Sequence, residues 1–224
     1  IKNATTDETC AVMLEPVQGE GGVNVPSVNY LRQVREWCTE NNLVLILDEV
    51  QTGIGRLGTL FGYEQFSIEP DAITLAKGLG GGVPIGAFLA KENFCVLSPG
   101  DHGSTYGGNA LTCAGAFAVV DHVVKNKIPE QVAEQGNHLM QKLEILKNKF
   151  SVINEIRGMG LLVAVQFETD ISGDVVSRCN EQGLLLNPVR PNAIRIMPPL
   201  NVTSDEIDMA LNRLENVLSE ITQD

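Results

Sequence analysis

The sequence predicts an α/β fold whose first part is a mostly parallel sheet and whose second part is a smaller α+β arrangement. Three observations lead to this class. The first half alternates short apolar runs with segments of helical periodicity. One of those runs, LVLILDEV at 43–50, is almost wholly aliphatic, as in strands that are buried on both faces of a parallel sheet. The second half instead combines helices with several short strands, which is typical of an α+β part.

Four strands and one helix account for the first half. The helix is predicted at 27–42, where apolar side chains recur at the spacing of one helical face: Val28, Leu31, Val34 and Cys38. The strand candidates are the apolar runs at 10–14, 43–50, 71–76 and 85–90. Strand, helix and strand in this order predict a layered α/β domain. We expect the first two strands to be buried.

The second half is predicted to hold four helices and four strands. The helices are expected at 111–127, 129–150, 175–182 and 207–221. Pro129 suits the first turn of the second helix, and Thr203 with Glu206 forms a capping box ahead of the last one. The strand candidates are 152–157, 161–168, 184–189 and 193–198.

These elements divide the chain into three ranges. Residues 1–112 are predicted to belong to the larger sheet domain, and residues 129–224 to the smaller domain. Residues 113–128 are predicted to be a helix that bridges them. No internal repeat or low-complexity linker interrupts the pattern.

Composition argues against several classes of function. Lys and Arg number 16 against 28 Asp and Glu, a net charge of −12 that repels nucleic-acid phosphates, and no basic cluster offsets it. The cysteines are scattered and odd in number, which favours reduced thiols over disulfides or zinc: Cys10, Cys38, Cys95, Cys113 and Cys179. No apolar run reaches the roughly 20 residues that a membrane-spanning helix needs. We therefore expect no nucleic-acid or membrane role.

The N-terminal residues carry two further expectations. They lack a basic region followed by an apolar segment, so they do not resemble a signal peptide, and we expect a cytoplasmic protein. They also lack a methionine and lead at once into a strand that has no earlier partner. We therefore expect the chain to be the C-terminal part of a longer protein.

Polar residues follow the apolar strands, at the edge where open α/β sheets bind their ligands. They are Glu15, Asp48 with Gln51, Lys77, the loop HGSTYGGN at 102–109 and, on a later strand, Arg195.

Lys77 stands at the end of a strand and is followed by Gly78, Gly80, Gly81 and Gly82. One interpretation is a lysine whose ammonium simply reaches solvent. The other is a desolvated amine suited to Schiff-base chemistry, with glycines that allow a ligand to approach the backbone closely. These glycines do not match a P-loop or a dinucleotide-binding loop.

The other polar residues are also ambiguous one by one. Asp48 follows five apolar residues, so we expect it to be half-buried, either as a turn carboxylate or facing a cationic ring nitrogen. The 102–109 loop has the composition of a phosphate site and of any tight loop. Arg195 is either a structural ion-pair partner or a binder of substrate carboxylate. Together, a lysine, an aspartate and a hydroxyl-rich loop match the requirements of pyridoxal phosphate.

Longer motifs strengthen this interpretation. EPVQGEGG at 15–22, the segment from LDEVQTGIGRLG to GVPIGAFLAKE at 47–92, and GDHGSTYGGNALTCA at 100–114 closely resemble the class III, fold-type-I aminotransferases that use pyridoxal phosphate. EIRGMGLLVAVQF and AIRIMPPLNVTSDEID, at 155–167 and 193–208, resemble that family too. The resemblance covers essentially the whole chain. It implies the large sheet domain and the small C-terminal domain of that fold.

The resemblance implies roles for particular residues. Lys77 is similar to the family's Schiff-base lysine, which also carries the proton during transfer, and Asp48 to the acid that keeps the pyridine nitrogen protonated. Val50 corresponds to the residue against the ring face, and Gln51 to the partner of the ring hydroxyl. The phosphate contacts donated across a dimer interface correspond to Ser104 and Thr105.

Glu15 and Arg195 resemble the family's gate for two substrates. Glu15 is expected to neutralise Arg195 while the amino donor is bound. Release of Arg195 would then let it bind a carboxylate of glutamate or 2-oxoglutarate.

The implied activity is amino transfer to 2-oxoglutarate, with N2-acetylornithine as the donor in the members that the chain resembles most. The products would be N-acetylglutamate 5-semialdehyde and glutamate, as in arginine biosynthesis, and the enzyme would be a homodimer. Ornithine, succinylornithine or 4-aminobutyrate are alternative donors, and an inactive fragment is a further alternative. The family has about as much chain again before this segment, including part of the site, so we expect the segment alone to have little or no activity. Ala110 replaces a proline that many relatives carry, a minor departure.

Overall fold

The computed structural model describes residues 1–222 and contains two compact units. Unit 1 comprises Ile1–Val17, Pro26–Gly55 and Thr59–Lys127. Unit 2 comprises two short segments, Gln18–Val25 and Arg56–Gly58, and the chain from Ile128 onward. The short segments had been expected in the larger sheet domain, and composition gives no signal that separates them from it.

Unit 1 contains a four-stranded sheet and two long helices. The strands are β1 (Ala11–Leu14), β2 (Val44–Asp48), β3 (Ala72–Leu75) and β4 (Ala87–Ala90), in the order β1-β2-β3-β4. The helices are α1 (Val28–Glu40) and α2 (Ala110–Lys125). β1, β2 and β3 run parallel, whereas β4 is antiparallel to β3. The connection from β3 to β4 is too short for a helical crossover, which explains the reversal.

The four strands predicted in this unit are confirmed, with shorter bounds. β2 pairs on both sides with parallel strands, as its aliphatic run predicts. The predicted burial of β1 is wrong in part, because Met13 is 58% exposed. Among the described residues β1 pairs with β2 only and forms the edge of the sheet.

Helix α1 confirms its predicted face at three of four positions. Leu31, Val34 and Cys38 are buried, but Val28 is exposed. Val28 is the first helical residue, where the chain has only begun to turn onto the sheet.

Unit 2 is an antiparallel sheet packed on helices. Its strands are β5 (Ile153–Met159), β6 (Leu162–Phe167), β7 (Asn187–Arg190) and β8 (Ala193–Ile196), in the order β5-β6-β8-β7. Its helices are α3 (Ile128–Lys149), α4 (Ser172–Glu181) and α5 (Ser204–Ile221). The core is formed by buried side chains of the sheet and the helices, including Val163, Val165, Ile194, Leu143 and Leu214.

Two local predictions in unit 2 have clear outcomes. The capping box is confirmed: the Glu206 N–H donates to Thr203 Oγ1 at 3.3 Å, and the Thr203 N–H donates to Glu206 Oε2 at 2.8 Å. The strand predicted at 184–189 begins later, at Asn187, and contains Pro188. Proline is tolerated there because β7 is an edge strand.

The range predicted as one bridging helix contains a break. α2 ends at Lys125 and α3 begins at Ile128, and Lys127 between them has a positive φ of 53°. In residues 1–222, no helix combines the length and the apolar character that crossing a membrane requires.

Candidate active site

The carboxyl edge of the unit 1 sheet collects three of the predicted site residues. Glu15 directly follows β1, Asp48 ends β2, and Lys77 lies two positions beyond β3. The register aligns these ends, because Leu14 pairs with Leu47 and Asp48 pairs with Thr74. Neighbouring parallel strands therefore deliver a carboxylate, a second carboxylate and an amine to one edge, as ligand sites of open α/β sheets require.

Asp48 is half-buried, which confirms the burial predicted for it. Its Oδ1 accepts hydrogen bonds from the Val50 N–H at 2.9 Å and from Thr74 Oγ1 at 3.1 Å. Two donors on one oxygen fix the orientation of the carboxylate. Such a group is suited to face a cation.

Lys77 begins a short 3-10 helix, Lys77–Gly80, directly after β3. Its backbone has a positive φ of 35°, which is uncommon outside glycine, and its side chain is exposed. Residues in such sparsely populated conformations cost about 1–3 kcal/mol and cluster at functional sites. The side chain of Lys77 is exposed among the described residues, and its role as a Schiff-base lysine stays a prediction.

The glycines after Lys77 have a packing role that the sequence did not reveal. A Cβ at Gly81, where φ is 59°, would lie 2.6 Å from Val119 Cγ2 of α2. A Cβ at Gly80 would lie 2.9 Å from Ile85 Cγ2. Gly81 thus lets the turn after Lys77 pack closely against α2, and Gly80 leaves room for Ile85, so space for a ligand is not the only explanation of these glycines. Gly82 is different, because a Cβ there would meet nothing within 4 Å.

The hydroxyl-rich loop leads directly into α2. Ser104 and Thr105 are exposed, and the Gly107 N–H donates to Ser104 Oγ at 3.0 Å. Asn109 Oδ1 accepts from the Thr112 N–H at 3.0 Å and caps the helix. The loop thus presents its hydroxyls next to a helix N-terminus, where backbone dipoles favour anions.

Val50 and Gln51 lie in the turn that follows β2. Val50 is half-buried and Gln51 is buried. They follow Asp48 by two and three positions in the sequence, so the turn keeps both residues near it. Their predicted contacts with a cofactor ring stay predictions.

Glu49 is a buried acid that sequence reasoning missed. Its side chain is 1% exposed, and it accepts from Thr52 Oγ1 at 2.5 Å, the Gly62 N–H at 2.9 Å and the Tyr63 N–H at 2.8 Å. Burial raises the pKa of Glu49, and these hydrogen bonds oppose that rise. The available signal was a second acid directly after Asp48. Glu49 ties the turn that carries Gln51 to the segment at 62–63.

Arg195 has a carboxylate partner other than the one predicted. It is a buried residue of β8, and its Nη1 lies 2.6 Å from Glu20 Oε1 in unit 2. The Arg195 side chain is 8% exposed, whereas that of Glu20 is 71% exposed. Glu20 is the second acid of EPVQGEGG and was not predicted from the sequence as a site residue. Glu15 belongs to unit 1, and its predicted pairing with Arg195 stays a prediction.

Comparison with known proteins agrees with this arrangement. Residues 1–218 match the family model described as aminotransferase class-III. Acetylornithine aminotransferase of Caldanaerobacter subterraneus subsp. tengcongensis is 51% identical over 218 residues, covering 97% of this chain and 56% of the relative. The enzyme of the same name from Methanocaldococcus jannaschii is 46% identical, covering 99% of this chain and 56% of the relative. The chain thus spans about half the length of the curated relatives it matches.

Solved structures extend the similarity to the fold. Ornithine delta-aminotransferase of Plasmodium falciparum superposes with a TM-score of 0.92 at 36% identity, covering 97% of this chain and 56% of that one. Acetylornithine aminotransferase of Elizabethkingia anophelis gives a TM-score of 0.89 at 38% identity, covering 94% and 54%. The ornithine aminotransferase of Toxoplasma gondii, with a TM-score of 0.90 at 38% identity over 95% of this chain and 51% of that one, is described with partial occupancy of PLP at its active site.

The fold is that of the fold-type-I transferases, an α/β class with a mostly parallel sheet. Within that class, this chain belongs to the class III aminotransferases, whose cofactor is pyridoxal phosphate.

Proposed function

We propose that this chain is the C-terminal part of an enzyme that transfers the δ-amino group of N2-acetylornithine to 2-oxoglutarate. The products are N-acetylglutamate 5-semialdehyde and glutamate. The observation that carries the proposal is the alignment of Asp48 and Lys77 at the ends of neighbouring parallel strands. The names of the relatives, which are 40–51% identical, support the choice of donor.

The polar residues predicted for the site fit pyridoxal phosphate. The cofactor needs an amine for its aldehyde, an acid for its pyridine nitrogen and hydrogen-bond donors for its phosphate. Lys77 has an exposed amine, Asp48 has an oriented carboxylate, and Ser104 and Thr105 have exposed hydroxyls. When bound, the cofactor supplies a ring that withdraws electrons from the reacting carbon of the substrate.

The residues of this chain have distinct tasks in that chemistry. The Lys77 amine would hold the cofactor through its aldehyde and would carry the proton to and from the substrate carbon. Asp48 keeps the ring nitrogen protonated, because its charge favours the cationic form. Val50 would pack against the ring, and Gln51 would bind the ring hydroxyl.

The ion pair of Arg195 with Glu20 provides the substrate gate. With the amino donor bound, Glu20 neutralises the buried guanidinium. With glutamate or 2-oxoglutarate, Glu20 moves away and Arg195 binds a substrate carboxylate. The exposure of Glu20 supports this role, because its side chain has room to move while Arg195 stays buried. Glu15 remains a candidate second acid at this gate.

The proposed enzyme is a homodimer in the cytoplasm that serves arginine biosynthesis, with Ser104 and Thr105 of each subunit binding the phosphate in its partner's site. Their exposure in a loop outside both cores motivates this assignment. In the full-length protein, mixing a Lys77→Ala chain in equal amounts with a chain that carries Ser104→Ala and Thr105→Ala should recover up to about one quarter of wild-type activity, because about half of the dimers are mixed and each mixed dimer keeps one of its two sites intact. No recovery would refute sharing.

A donor panel on the full-length enzyme tests the substrate. We expect the highest kcat/KM with N2-acetylornithine and 2-oxoglutarate. Ornithine is the second candidate, because ornithine aminotransferases are among the structural neighbours. Succinylornithine and 4-aminobutyrate complete the panel. A preference of tenfold or more for another donor, about 1.4 kcal/mol in transition-state binding, would replace N2-acetylornithine as the substrate.

The segment as an isolated polypeptide is expected to turn over little or nothing, since the relatives contain about as much chain again. An inactive full-length protein would favour the remaining alternative, a chain that keeps the family fold without catalysis.

A further inference from the structure

The Gln18–Val25 loop is closed by its own backbone. Gln18 and Asn24 form an antiparallel bridge, with N–H groups donating to carbonyls at 3.1 and 3.0 Å. Asn24 Nδ2 also donates to Gln18 Oε1 at 2.8 Å and to the Gly21 carbonyl at 3.1 Å. These bonds close the base of a small loop whose tip is GEGG, residues 19–22.

Three arginines of the unit 2 sheet bind three consecutive residues of this tip. Arg195 contacts the Glu20 carboxylate as described above. Arg190 donates from Nε and Nη2 to the Gly21 carbonyl at 3.1 and 2.6 Å. Arg157 donates from Nε and Nη2 to the Gly22 carbonyl at 3.0 and 2.7 Å. These two guanidinium forks fix the backbone of the two residues that directly follow Glu20, because each guanidinium is planar and donates two hydrogen bonds.

The register of the sheet explains why these arginines reach one loop. Arg157 of β5 pairs with Ala164 of β6, which pairs in turn with Arg195 of β8. Directly paired residues on adjacent strands point to the same face. Arg190 of β7 pairs with Ala193, two positions before Arg195 on β8 and so on that face too. Ala164 and Ala193 are fully buried and leave space between the long side chains.

Arg157 is itself held in place by the sheet. Its Nη1 donates to Gln166 Oε1 at 2.8 Å and to Glu155 Oε2 at 3.0 Å, and its side chain is largely buried. The loop lies close as well: a Cβ at Gly22, where φ is 116°, would lie 2.6 Å from Arg190 Nε. Only glycine allows this approach.

We propose that Arg157 and Arg190 are positioning residues for the substrate gate: they hold the backbone of the Gln18–Val25 loop so that Glu20 masks and releases Arg195 by moving its side chain alone. This inference rests on the gate of the proposed function. A loop that moved as a whole would have to break both arginine forks for each change of substrate. With the backbone fixed, a change of substrate requires only that the carboxylate of Glu20 and a carboxylate of the substrate replace each other at Arg195.

The consequence is a selective effect on the amino donor. When the forks are lost, Glu20 is presented to Arg195 less often, and the unmasked guanidinium opposes a donor that brings no carboxylate to it. Binding of 2-oxoglutarate does not need the masked state. We therefore expect Arg190→Gln and Arg157→Lys to raise KM for the donor about tenfold, the size typical of a lost charged hydrogen bond, with KM for 2-oxoglutarate unchanged or lower.

A double-mutant test in the full-length enzyme separates positioning from general damage. Glu20→Gln alone should raise the donor KM at least as much as either arginine variant. Adding Arg190→Gln or Arg157→Lys to it should then change KM by less than twofold, because the forks act only through Glu20. Arg213→Gln is the matched control, since Arg213 Nη1 also donates to a backbone carbonyl, that of Gly183 at 2.8 Å, but outside this loop. It should leave both KM values unchanged.

Equal changes of both KM values, or the full effect of the arginine variants in the Glu20→Gln background, would overturn the proposal. Amide hydrogen exchange gives a readout that needs no substrate. Arg190→Gln should speed exchange at Gly22 and Val23 about fivefold or more while the strands β5–β8 keep wild-type rates. Unchanged exchange at 18–25 would also overturn the proposal. If wild type rejects N2-acetylornithine, the proposed substrate fails, and the kinetic test proceeds with the best donor of the panel.

Discussion

At the scale of single residues, the site depends on how the ends of two strands orient side chains. Asp48 has one carboxylate oxygen fixed by Val50 and Thr74. Lys77 emerges from a backbone with positive φ. Asp48 thus presents a carboxylate of fixed direction at the sheet edge after which Lys77 also follows, and the proposed function uses both.

Replacing Asp48 tests whether its negative charge contributes to the proposed reaction. Asp48→Asn keeps the shape and can still accept from Val50 and Thr74, but it removes the charge. We expect the full-length enzyme to retain covalent cofactor, measured by its absorbance, while kcat falls about 100-fold or more, since a preorganised charge at a reacting centre contributes on this scale.

Asp121→Asn is the matched control for that experiment. Asp121 pairs with Lys125 on α2 at 2.9 Å, an exposed contact of the kind that contributes little. Its kcat should equal that of wild type. An Asp48→Asn enzyme with wild-type kcat would show that the charge is not used.

At the scale of elements, packing between backbones decides positions that look free in the sequence. Gly136 lies within α3, where alanine would ordinarily be the better helix former by about 1 kcal/mol. A Cβ there would lie 2.4 Å from the Gly160 carbonyl oxygen and 2.7 Å from its carbon. Gly160 has a positive φ of 56° in the turn between β5 and β6, so the helix and the turn need both glycines.

Gly136→Ala should therefore destabilise the protein, since the forced overlap costs about 1–3 kcal/mol and exceeds the gain in helix propensity. Gly173→Ala on α4 is the control, because a Cβ there would meet nothing within 4 Å. It should be neutral or slightly stabilising. Urea unfolding of the purified proteins measures both midpoints, and equal midpoints for the two variants would contradict the packing argument.

At the scale of the whole molecule, the sequence predicted what depends on local patterns. The aliphatic run of β2, the spacing of Leu31, Val34 and Cys38 in α1, and the capping box of α5 each report a local preference, and all are present. The motifs around Lys77 predicted the family, which the comparisons confirmed.

What the sequence did not predict depends on contacts between distant residues. Glu20 and Arg195 are separated by 175 positions, and only Glu15 of the EPVQGEGG motif was predicted from the sequence as a partner of Arg195. The Gln18–Val25 loop belongs to unit 2 for a similar reason, since three arginines that lie more than 130 positions later in the chain bind it. Packing of Gly81 on Val119 likewise has no local signal, so its glycine was interpreted as space for a ligand.

The identity of the cofactor lysine is the claim on which the account depends most. The full-length protein should be loaded with pyridoxal phosphate, reduced with borohydride and digested, and the labelled peptide identified by mass spectrometry. The account predicts a single label on Lys77, lost in Lys77→Ala and retained in Asp48→Asn. A label on another lysine, or a transaminating enzyme that carries no label, would contradict it.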